Sequence, residues 1–399
     1  MAASLKNIIV IGGSYVGAAT TQGLANLLPS THRVLLIEPH SHFHHLFAFP
    51  RFAILPTHEH KAFIPYTGTF AAAPSPERHH VVKARVSALY RDRVVLDRDW
   101  QGMREIPFDY LVVATGTKLR APGTMHDDEK PLSVKYLQAY QQRLRDAKSV
   151  AIIGGGAVGV QMATDLKEIY PDKEVTLIHS RNQLMPVYHE KLDEIIKARF
   201  QELGVKLVLG SRVTIPEGDF QRDNVSGKPI TLSLQNGSTL QADVVIPATG
   251  QTPNTPFLSS LSASSENSLI NPANGFIRVR PTLQFEDPAF PNLYAVGDVA
   301  DSGAHKAARP GHAQAQVVAK NILDMVQGRE PSAKIEVAPP AIHLTLGLSK
   351  NLIIRNPDIS KGETEPMIMH RDDGQADMGI DGVWGRRGVT VQSDAEYHL

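Results

Sequence analysis

The sequence contains no cysteine among its 399 residues. Disulfide bonds, a redox-active cysteine pair, thiolate metal sites and cysteine nucleophiles are therefore excluded, and any redox chemistry must be carried by a bound cofactor. Lys and Arg together number 41, as do Asp and Glu, so the formal net charge is zero. Because proteins that bind nucleic acid are usually basic with clustered Lys and Arg, we expect no nucleic-acid partner.

Long apolar runs and targeting signals are also missing. No apolar run approaches the ~18 residues needed to span a bilayer, and no basic stretch with a cleavage site precedes the first predicted strand. Ala2 stands where myristoylation would need a glycine. We expect a soluble, cytoplasmic protein with two or three domains.

Two glycine-rich turns stand far apart in the chain, and each follows a short apolar run typical of a buried parallel strand. Small residues allow a tight turn, after which a helix N-terminus presents free N–H groups and a positive dipole end to a pyrophosphate. One such turn binds one dinucleotide, so two turns predict two dinucleotides. Serine replaces the middle glycine of the first turn, a change that we interpret as tolerated. The predicted binding residues are Gly12, Gly13, Ser14 and Gly17 in the first turn and Gly154, Gly156 and Gly159 in the second.

A ribose-reading residue is expected at the end of the next strand, roughly 20 or more residues beyond the first glycine. Glu38 has this position in the first unit, where a carboxylate can accept hydrogen bonds from ribose hydroxyls. The second unit has His179 and Arg181 there. A carboxylate would repel a 2′-phosphate, whereas Arg181 can pair with one. We predict FAD at the first site and NADH or NADPH at the second; the alternative for Arg181 is a solvated surface side chain.

Three further apolar strands end in small residues, as expected where the chain stops against a cofactor. Two of them end in Ala-Thr-Gly, at 114–116 and 248–250, and the third ends in Gly-Asp at 297–298. With the two glycine-rich turns, these motifs resemble in kind and order the two-dinucleotide flavoproteins of the disulfide-reductase superfamily.

The resemblance implies a role for each of these segments. In that superfamily the Ala-Thr-Gly segments close the two nucleotide-binding domains, and the aspartate of Gly-Asp bonds the flavin ribityl chain. Carried over by position, the FAD site includes Ala114, Thr115, Gly116, Gly297 and Asp298, and the NAD(P)H site includes Thr249 and Gly250.

A narrower resemblance rests on the segments SHFHH at 41–45, EVTLIHS at 174–180 and GDVAD at 297–301. These are similar to the apoptosis-inducing-factor-like group, particularly its ferroptosis-suppressor quinone reductases, which use FAD and NAD(P)H to reduce quinones. The chain has Gln161 where related NADH dehydrogenases often carry a glutamate near the nicotinamide, and it lacks the myristoylated glycine of the animal proteins. Peripheral contact with a mitochondrial or lipid-droplet membrane is left open, as is the choice between monomer and homodimer.

The predicted fold class is α/β, with two Rossmann-like dinucleotide-binding domains of the glutathione-reductase type and a small C-terminal α+β interface domain. We predict a discontinuous FAD domain at 1–125 and 250–330, with an NAD(P)H domain inserted at 126–249. The interface domain would span 331–399. Within it, 342–347 and 382–385 are predicted as short strands and 363–378 as an exposed loop.

Hydride transfer mainly requires nicotinamide C4 to be placed against flavin N5. A helix predicted at 313–325 would aim its N-terminus at the flavin, and Lys306 shortly before it is our candidate for flavin tuning or quinone protonation. The stretch 42–66 is rich in aromatic rings that suit a flat ligand. In it, His44 or His45 is the candidate proton donor to a quinone. The plain alternatives are a surface lysine and ordinary core phenylalanines.

Seven histidines between His32 and His60 raise the question of a metal. No acid or cysteine completes a recognisable ligand spacing, so no metal site is predicted. We predict an FAD-dependent oxidoreductase that takes hydride from NAD(P)H and passes two electrons to a quinone-like small molecule. The alternatives are a reductase of a small iron–sulfur protein or of an aromatic biosynthetic substrate, and an NAD(P)H-sensing signalling flavoprotein of the apoptosis-inducing-factor type.

Overall fold

The structure, a computed structural model, describes residues 5–216, 220 and 224–399. The α-helices are α1 Tyr15–Leu27, α2 Phe49–Phe52, α3 Lys130–Asp146, α4 Ala157–Ile169, α5 Glu190–Leu203, α6 Ala308–Val326 and α7 Ile380–Arg386. Short 3-10 helices span Glu59–Ala62, Tyr66–Gly68, Pro76–Arg78, Pro256–Ser260, Gly297–Val299, Ile359–Lys361 and Asp394–His398. The strands are β1 Lys6–Ile11, β2 His32–Ile37, β3 His42–His44, β4 Phe63–Pro65, β5 His80–Val82, β6 Val86–Leu89, β7 Arg93–Trp100, β8 Met103–Pro107, β9 Tyr110–Val113, β10 Thr117–Leu119, β11 Ser149–Ile153, β12 Glu174–Ile178, β13 Lys206–Val208, β14 Ile230–Ser233, β15 Thr239–Ala242, β16 Val244–Pro247, β17 Gln251–Pro253, β18 Ile277–Arg278, β19 Leu293–Ala295, β20 Ala300–Asp301, β21 Ala341–Thr345, β22 Asn351–Arg355 and β23 Met367–Arg371.

The first sheet is parallel and has the order β19-β9-β1-β2-β5. Successive residues of its central strand face opposite sides, as the strand period of two requires. Ile8 and Val10 pack with buried residues of α1 and α6. Ile9 and Ile11 pack on the other side, in the core that includes the antiparallel sheet β6-β7-β8. Both faces are covered, which explains the continuous apolar run of β1.

The second sheet is parallel too, with the order β13-β12-β11-β16. Val150 and Ile152 of β11 pack against buried residues of α3, α4 and α5. Ala151 and Ile153 pack with the hairpin β14-β15. The two sheets therefore repeat one local plan: a central buried strand, a glycine turn, a helix and a second parallel strand.

A short antiparallel pair, β10 with β17, follows the two Ala-Thr-Gly segments. The chain passes through β10 before the second sheet and through β17 after it. Beside the pair, Thr115 Oγ1 donates to the Asn254 carbonyl at 2.8 Å, and Asn254 Nδ2 donates to the Thr115 carbonyl at 2.9 Å. The entry to the second sheet and the exit from it are thus bonded to each other; the domain limits given above stay predictions.

The C-terminal part contains the antiparallel sheet β21-β22-β23 and α7, and two predictions for it were wrong. The segment 382–385 belongs to a helix, because Ile380, Val383 and Trp384 share the helical i, i+3, i+4 spacing and are buried. The predicted loop 363–378 contains β23, an edge strand whose mostly exposed side chains give no alternating apolar pattern.

The helix predicted at 313–325 begins earlier, at Ala308. Pro310 lies in its first turn, where a missing N–H costs no helical hydrogen bond, so this proline does not mark the helix start. Among the helices in the described ranges, none is both long enough and apolar enough to cross a membrane.

Candidate active site

The first glycine turn joins β1 to α1, and two of its glycines, Gly12 and Gly17, leave no space for larger residues. Gly12 has a φ of 99°, and a Cβ on it would lie 2.6 Å from the Ala114 carbonyl oxygen. A Cβ on Gly17 would collide with the Gly12 carbonyl oxygen. Ser14 is the N-cap residue of α1, but its hydroxyl makes no capping hydrogen bond. Steric fit thus explains Gly12 and Gly17, and Ala114 of the first Ala-Thr-Gly segment supplies the contact at Gly12.

The second turn, between β11 and α4, repeats this arrangement. Gly154 has a φ of 124°, and a Cβ there would collide with the carbonyl oxygen of Ala248, the counterpart of Ala114. A Cβ on Gly159 would collide with the Gly154 carbonyl oxygen. Gly156, the N-cap of α4, opens on empty space instead. Ser14 holds the equivalent place in the first turn, so the fold has room for its side chain.

Glu38 and His179 lie at matching ends of the two second strands and bond to matching turns. Gly13 N donates to Glu38 Oε2 at 2.5 Å, and Gly155 N donates to His179 Nδ1 at 3.1 Å. Burial alone would raise the pKa of Glu38, but hydrogen bonds and charge from His40 outweigh it, so the pKa is lowered. Burial, helped by the charge of Arg181, lowers the pKa of His179. The first site therefore carries a carboxylate where the second carries a neutral imidazole.

The remaining predicted nucleotide residues surround the two turns. Arg181 is exposed just beyond β12, which is compatible with both of its predicted roles. Gly116 and Gly250 have φ values of 58° and 65°, a backbone region that favours glycine, and each leads directly into the β10–β17 pair. Thr249 lies beside Gly154, with its Cγ2 at 3.5 Å from the position of a Cβ on that glycine.

The Gly-Asp segment at 297–298 lies next to α6. Gly297 has a φ of 71° and donates its N–H to Gln314 Oε1 at 2.7 Å. Burial raises the pKa of Asp298, and the nearby Lys306 ammonium opposes that rise. Lys306 donates to the Ala300 carbonyl, and its Nζ lies 4.2 Å from the Phe276 ring centroid. The structure thus brings Asp298 and Lys306 together, and Lys306 is half-buried rather than a solvated surface lysine.

His45 belongs to a separate cluster at the start of α1. Its Nδ1 lies 2.7 Å from the Tyr15 hydroxyl, and the Tyr15 ring packs against the tilted Phe47 ring, with 4.8 Å between the ring centroids. The Arg387 guanidinium covers the Phe43 ring at 4.0 Å and lies 5.6 Å from the Tyr15 ring. We call Tyr15, His45, Phe47 and Arg387 the aromatic face. The two predicted catalytic residues, His45 and Lys306, therefore lie in different clusters.

Other residues of the aromatic stretch are structural. Phe43, Phe49, Phe52 and Phe63 are buried core residues, as the plain alternative held. His44 is buried too, with its ring against Phe49 and Phe63, so it does not line an open surface. Within the described ranges, no group of three or more His, Asp and Glu side chains is arranged to hold a metal.

Arg387 was missed by the sequence reasoning. It follows α7 in the tail, where the family resemblance is weakest and no motif stands. Burial lowers its pKa, and its Nε is buried without a hydrogen-bond partner among the described residues. Only the fold, which packs Gly68 against Arg387 and Gly388, brings this arginine next to the first turn.

Residues 6–319 match the family described as pyridine nucleotide-disulphide oxidoreductase. The chain belongs to this family. Fe-regulated protein 8 of Mycosarcoma maydis is 37% identical to this chain, and the similarity covers 97% of this chain and 96% of the length of that protein. Mouse ferroptosis suppressor protein 1 is 28% identical, over 86% of this chain and 87% of its own. The sulfide:quinone oxidoreductase of Aquifex aeolicus shares the fold, with a TM-score of 0.72 and 19% identity, covering 98% of this chain and 94% of that one.

The predicted resemblance and fold class are thereby confirmed, and the protein is an FAD-dependent NAD(P)H oxidoreductase. Its residues fit both cofactors. The crowded glycines Gly12 and Gly17 shape the first turn, and Glu38 at the end of β2 suits the ribose of FAD. The second turn has the same backbone shape and lacks the carboxylate, which suits NADH or NADPH.

Proposed function

We propose that the protein reduces a quinone-like small molecule, which binds against the aromatic face. When bound, FAD accepts a hydride from NAD(P)H and passes two electrons onward. The chain has no cysteine, so no dithiol can carry those electrons to a distant acceptor. The acceptor must therefore reach the cofactor directly, and it needs a binding surface on the FAD-binding part of the chain.

The observation that carries the proposal is the partial solvent exposure of the Phe47 ring. Phe47 is 51% exposed although it packs against Tyr15 and His45, while the other phenylalanines of this stretch are core residues. An exposed ring supported by a second ring offers one wall for a flat aromatic ligand, which gains from stacking and from loss of apolar surface. Tyr15 is the first residue of α1, so this wall adjoins the FAD turn.

The polar groups of the face suit the oxygens of a quinone. Burial, with the charges of Arg387 and Arg386, lowers the pKa of His45 to about 3, so its imidazole is neutral near pH 7. Burial also raises the pKa of Tyr15, which keeps its phenol protonated. One hydrogen of the Tyr15–His45 pair is used in the bond between them, so the other can be donated to a carbonyl oxygen. Arg387 adds a positive charge where reduction builds negative charge.

This arrangement revises the predicted role of His45. A group with a pKa of about 3 is not an imidazolium at neutral pH, so His45 can orient and polarise the acceptor but carries no excess proton to give. Lys306, whose pKa is lowered by burial, remains the predicted source of a proton or tuner of the flavin. The Aquifex protein with the same fold is named for a quinone acceptor, which agrees with this assignment.

The test is an anaerobic titration of the purified protein. Addition of NADH or NADPH should bleach the flavin absorbance, and a short-chain ubiquinone analogue should restore it. In Phe47→Ala we expect the KM for the quinone to rise about tenfold, because about 1.4 kcal/mol of stacking and burial is lost. The rate of bleaching by NADH should not change.

The control is Tyr90→Ala. Tyr90 is also a partly exposed ring, with the Arg93 guanidinium at 4.4 Å over it, but it lies on the hairpin β6-β7. This variant should behave like wild type. A flavin that NADH bleaches and no quinone restores would exclude quinone as the acceptor. Equal quinone KM values in Phe47→Ala and Tyr90→Ala would place the acceptor elsewhere.

A further inference from the structure

Arg51 in α2 is a fully buried cation. Its side chain has no solvent exposure, nor has that of Asp165, whose Oδ2 accepts from Arg51 Nε at 2.6 Å. Arg51 Nη2 donates to the Gly347 carbonyl at 2.7 Å, and Nη1 lies 3.4 Å from the Gln375 carbonyl and 3.5 Å from that of Ala376. A buried charge is costly unless it is paired and hydrogen-bonded, and here one guanidinium uses every nitrogen.

Arg51 and its hydrogen-bond partners together come from three separate parts of the chain. Arg51 itself follows the second strand of the first sheet. Asp165 lies in α4, the helix that starts at the NAD(P)H turn. Gly347 and the pair Gln375 and Ala376 lie beside the C-terminal sheet, after β21 and β23. The guanidinium therefore joins the FAD-binding part, the NAD(P)H-binding helix and the C-terminal part at one point.

The loop at Gly347 is also held from its other side. Arg199 of α5 donates through Nε to the Leu346 carbonyl at 2.9 Å and pairs through Nη2 with Glu168 of α4. Glu168 Oε2 in turn accepts from Leu348 N at 2.5 Å. Gly347 has a φ of 124°, and a Cβ on it would collide with the Glu168 carboxylate. We call the contacts of Arg51, Asp165, Glu168 and Arg199 around this loop the clasp.

The clasp contacts α4 at two successive helical turns, through the side chains of Asp165 and Glu168. The N-terminus of the same helix carries the N–H groups that would face the pyrophosphate when NAD(P)H is bound. Asp165 Oδ1 has no hydrogen-bond partner among the described residues. Burial raises the pKa of Asp165 to about 6, and the Arg51 charge, together with the Gln161 amide one turn closer to the nucleotide, opposes that rise. A shift of the clasp would therefore move the helix that holds the nucleotide.

We propose that Arg51 is a positioning residue for hydride transfer: through Asp165 and the loop at Gly347 it fixes α4, and with it the bound NAD(P)H, relative to the FAD-binding part. The geometry of the hydride donor and its acceptor is thus set by a contact in the C-terminal half of α4, about two turns from the glycine turn at its N-terminus. This role concerns flavin reduction by NAD(P)H, so it does not depend on which acceptor follows.

The test uses a double variant, because one partner cannot be removed safely. Arg51→Met alone leaves Asp165 buried without its cation and is expected to destabilise the fold. Arg51→Met with Asp165→Leu replaces the pair by apolar side chains of similar volume, a change that is often neutral for stability. This double variant should fold and retain flavin. The control is Lys206→Met with Glu174→Gln, which removes the exposed ion pair between β13 and β12 at 2.9 Å.

Four measurements separate positioning from binding and from folding. Rapid-mixing absorbance gives the limiting rate of flavin reduction by saturating NADH, and we expect a fall of about 10- to 100-fold in the double variant because small misplacements are costly. Calorimetric titration with NAD+ should give a Kd within about threefold of wild type, since the turn itself is intact. Hydrogen exchange should accelerate at Leu348 and its neighbours, where the clasp is broken. Dithionite, which needs no nucleotide, should reduce both proteins equally.

The proposal has clear ways to fail. A folded double variant whose limiting reduction rate stays within about threefold of wild type overturns it, even if hydrogen exchange rises. A rate loss that disappears when NADH is raised further also overturns it, because the clasp would then serve binding. Arg51→Lys can keep the bond to Asp165 but not the three carbonyl contacts, so its reduction rate should fall between those of wild type and the double variant.

Discussion

Gly13 and Gly155 have equivalent positions in the two glycine turns, and the backbone N–H of each donates a hydrogen bond to a side chain at the end of the neighbouring strand. The accepting side chains differ. Glu38 accepts the first and His179 the second. The glycines around them are crowded by equivalent carbonyl oxygens, those of Ala114 and Ala248 being one matched pair. The comparison separates two features: steric fit fixes the shape of both turns, and we predict that the side chain at the strand end selects the dinucleotide.

The largest effect is expected where the turns are most crowded. Gly17→Ala should abolish FAD binding, because the new Cβ collides with the Gly12 carbonyl oxygen. Gly159→Ala should keep FAD and raise the Kd for NAD+ at least about 100-fold, through the same collision in the second turn. Flavin absorbance per mole of protein and calorimetric titration measure the two effects. Gly385→Ala, where a Cβ meets nothing within 4 Å, is the control. If the Gly17→Ala protein keeps a full complement of flavin, the collision at this position does not control FAD binding, and the prediction is wrong.

A smaller effect is expected at the first strand end. Glu38→Ala removes a charged acceptor, so the affinity for FAD should fall about 10- to 100-fold, as loss of a charge-assisted hydrogen bond usually costs. Equilibrium dialysis of FAD measures the change. His179→Ala should leave FAD affinity as it is. Equal losses in the two variants would mean that Glu38 supports the fold rather than the ribose.

A substitution of Arg181, just beyond the end of β12, tests how the second site distinguishes NADPH from NADH. Arg181→Ala should lower the ratio of kcat/KM for NADPH to that for NADH by about fivefold, because an exposed arginine–phosphate pair contributes about 1 kcal/mol. The exposed Lys206 lies on the neighbouring strand, and Lys206→Ala is the matched control. An unchanged ratio would assign Arg181 to the solvated surface.

The smallest effect is expected at the middle position of each turn. Gly156 opens on empty space, so Gly156→Ser and Ser14→Gly should each change the affinity of their own dinucleotide by less than about threefold. The same dialysis and calorimetric assays apply. A loss as large as that of Glu38→Ala in either variant would show that the middle position contacts the phosphates closely.

The sequence predicted what repeats along the chain and missed what forms only in three dimensions. Both glycine turns, Glu38 and the Ala-Thr-Gly ends follow from local patterns, because strand, turn and helix are contiguous. In the region of α7, Gly382 and Gly385 suggest a short strand with breaks, whereas Ile380, Val383 and Trp384 form the buried i, i+3, i+4 stripe of a helix. Arg51 and Arg387 could not be assigned, since their partners lie hundreds of residues away in the chain.

The β10–β17 pair has a consequence for how such a chain can be altered. Because the segments entering and leaving the second sheet are hydrogen-bonded neighbours, the ends of everything between them already meet. Closing that gap with a short linker would order few additional residues, so the entropic cost of deleting or exchanging the whole insert would be small. We therefore predict that the preference for NADH or NADPH can be exchanged together with this insert, provided that the transplanted segment brings its own counterparts of Asp165, Glu168 and Arg199.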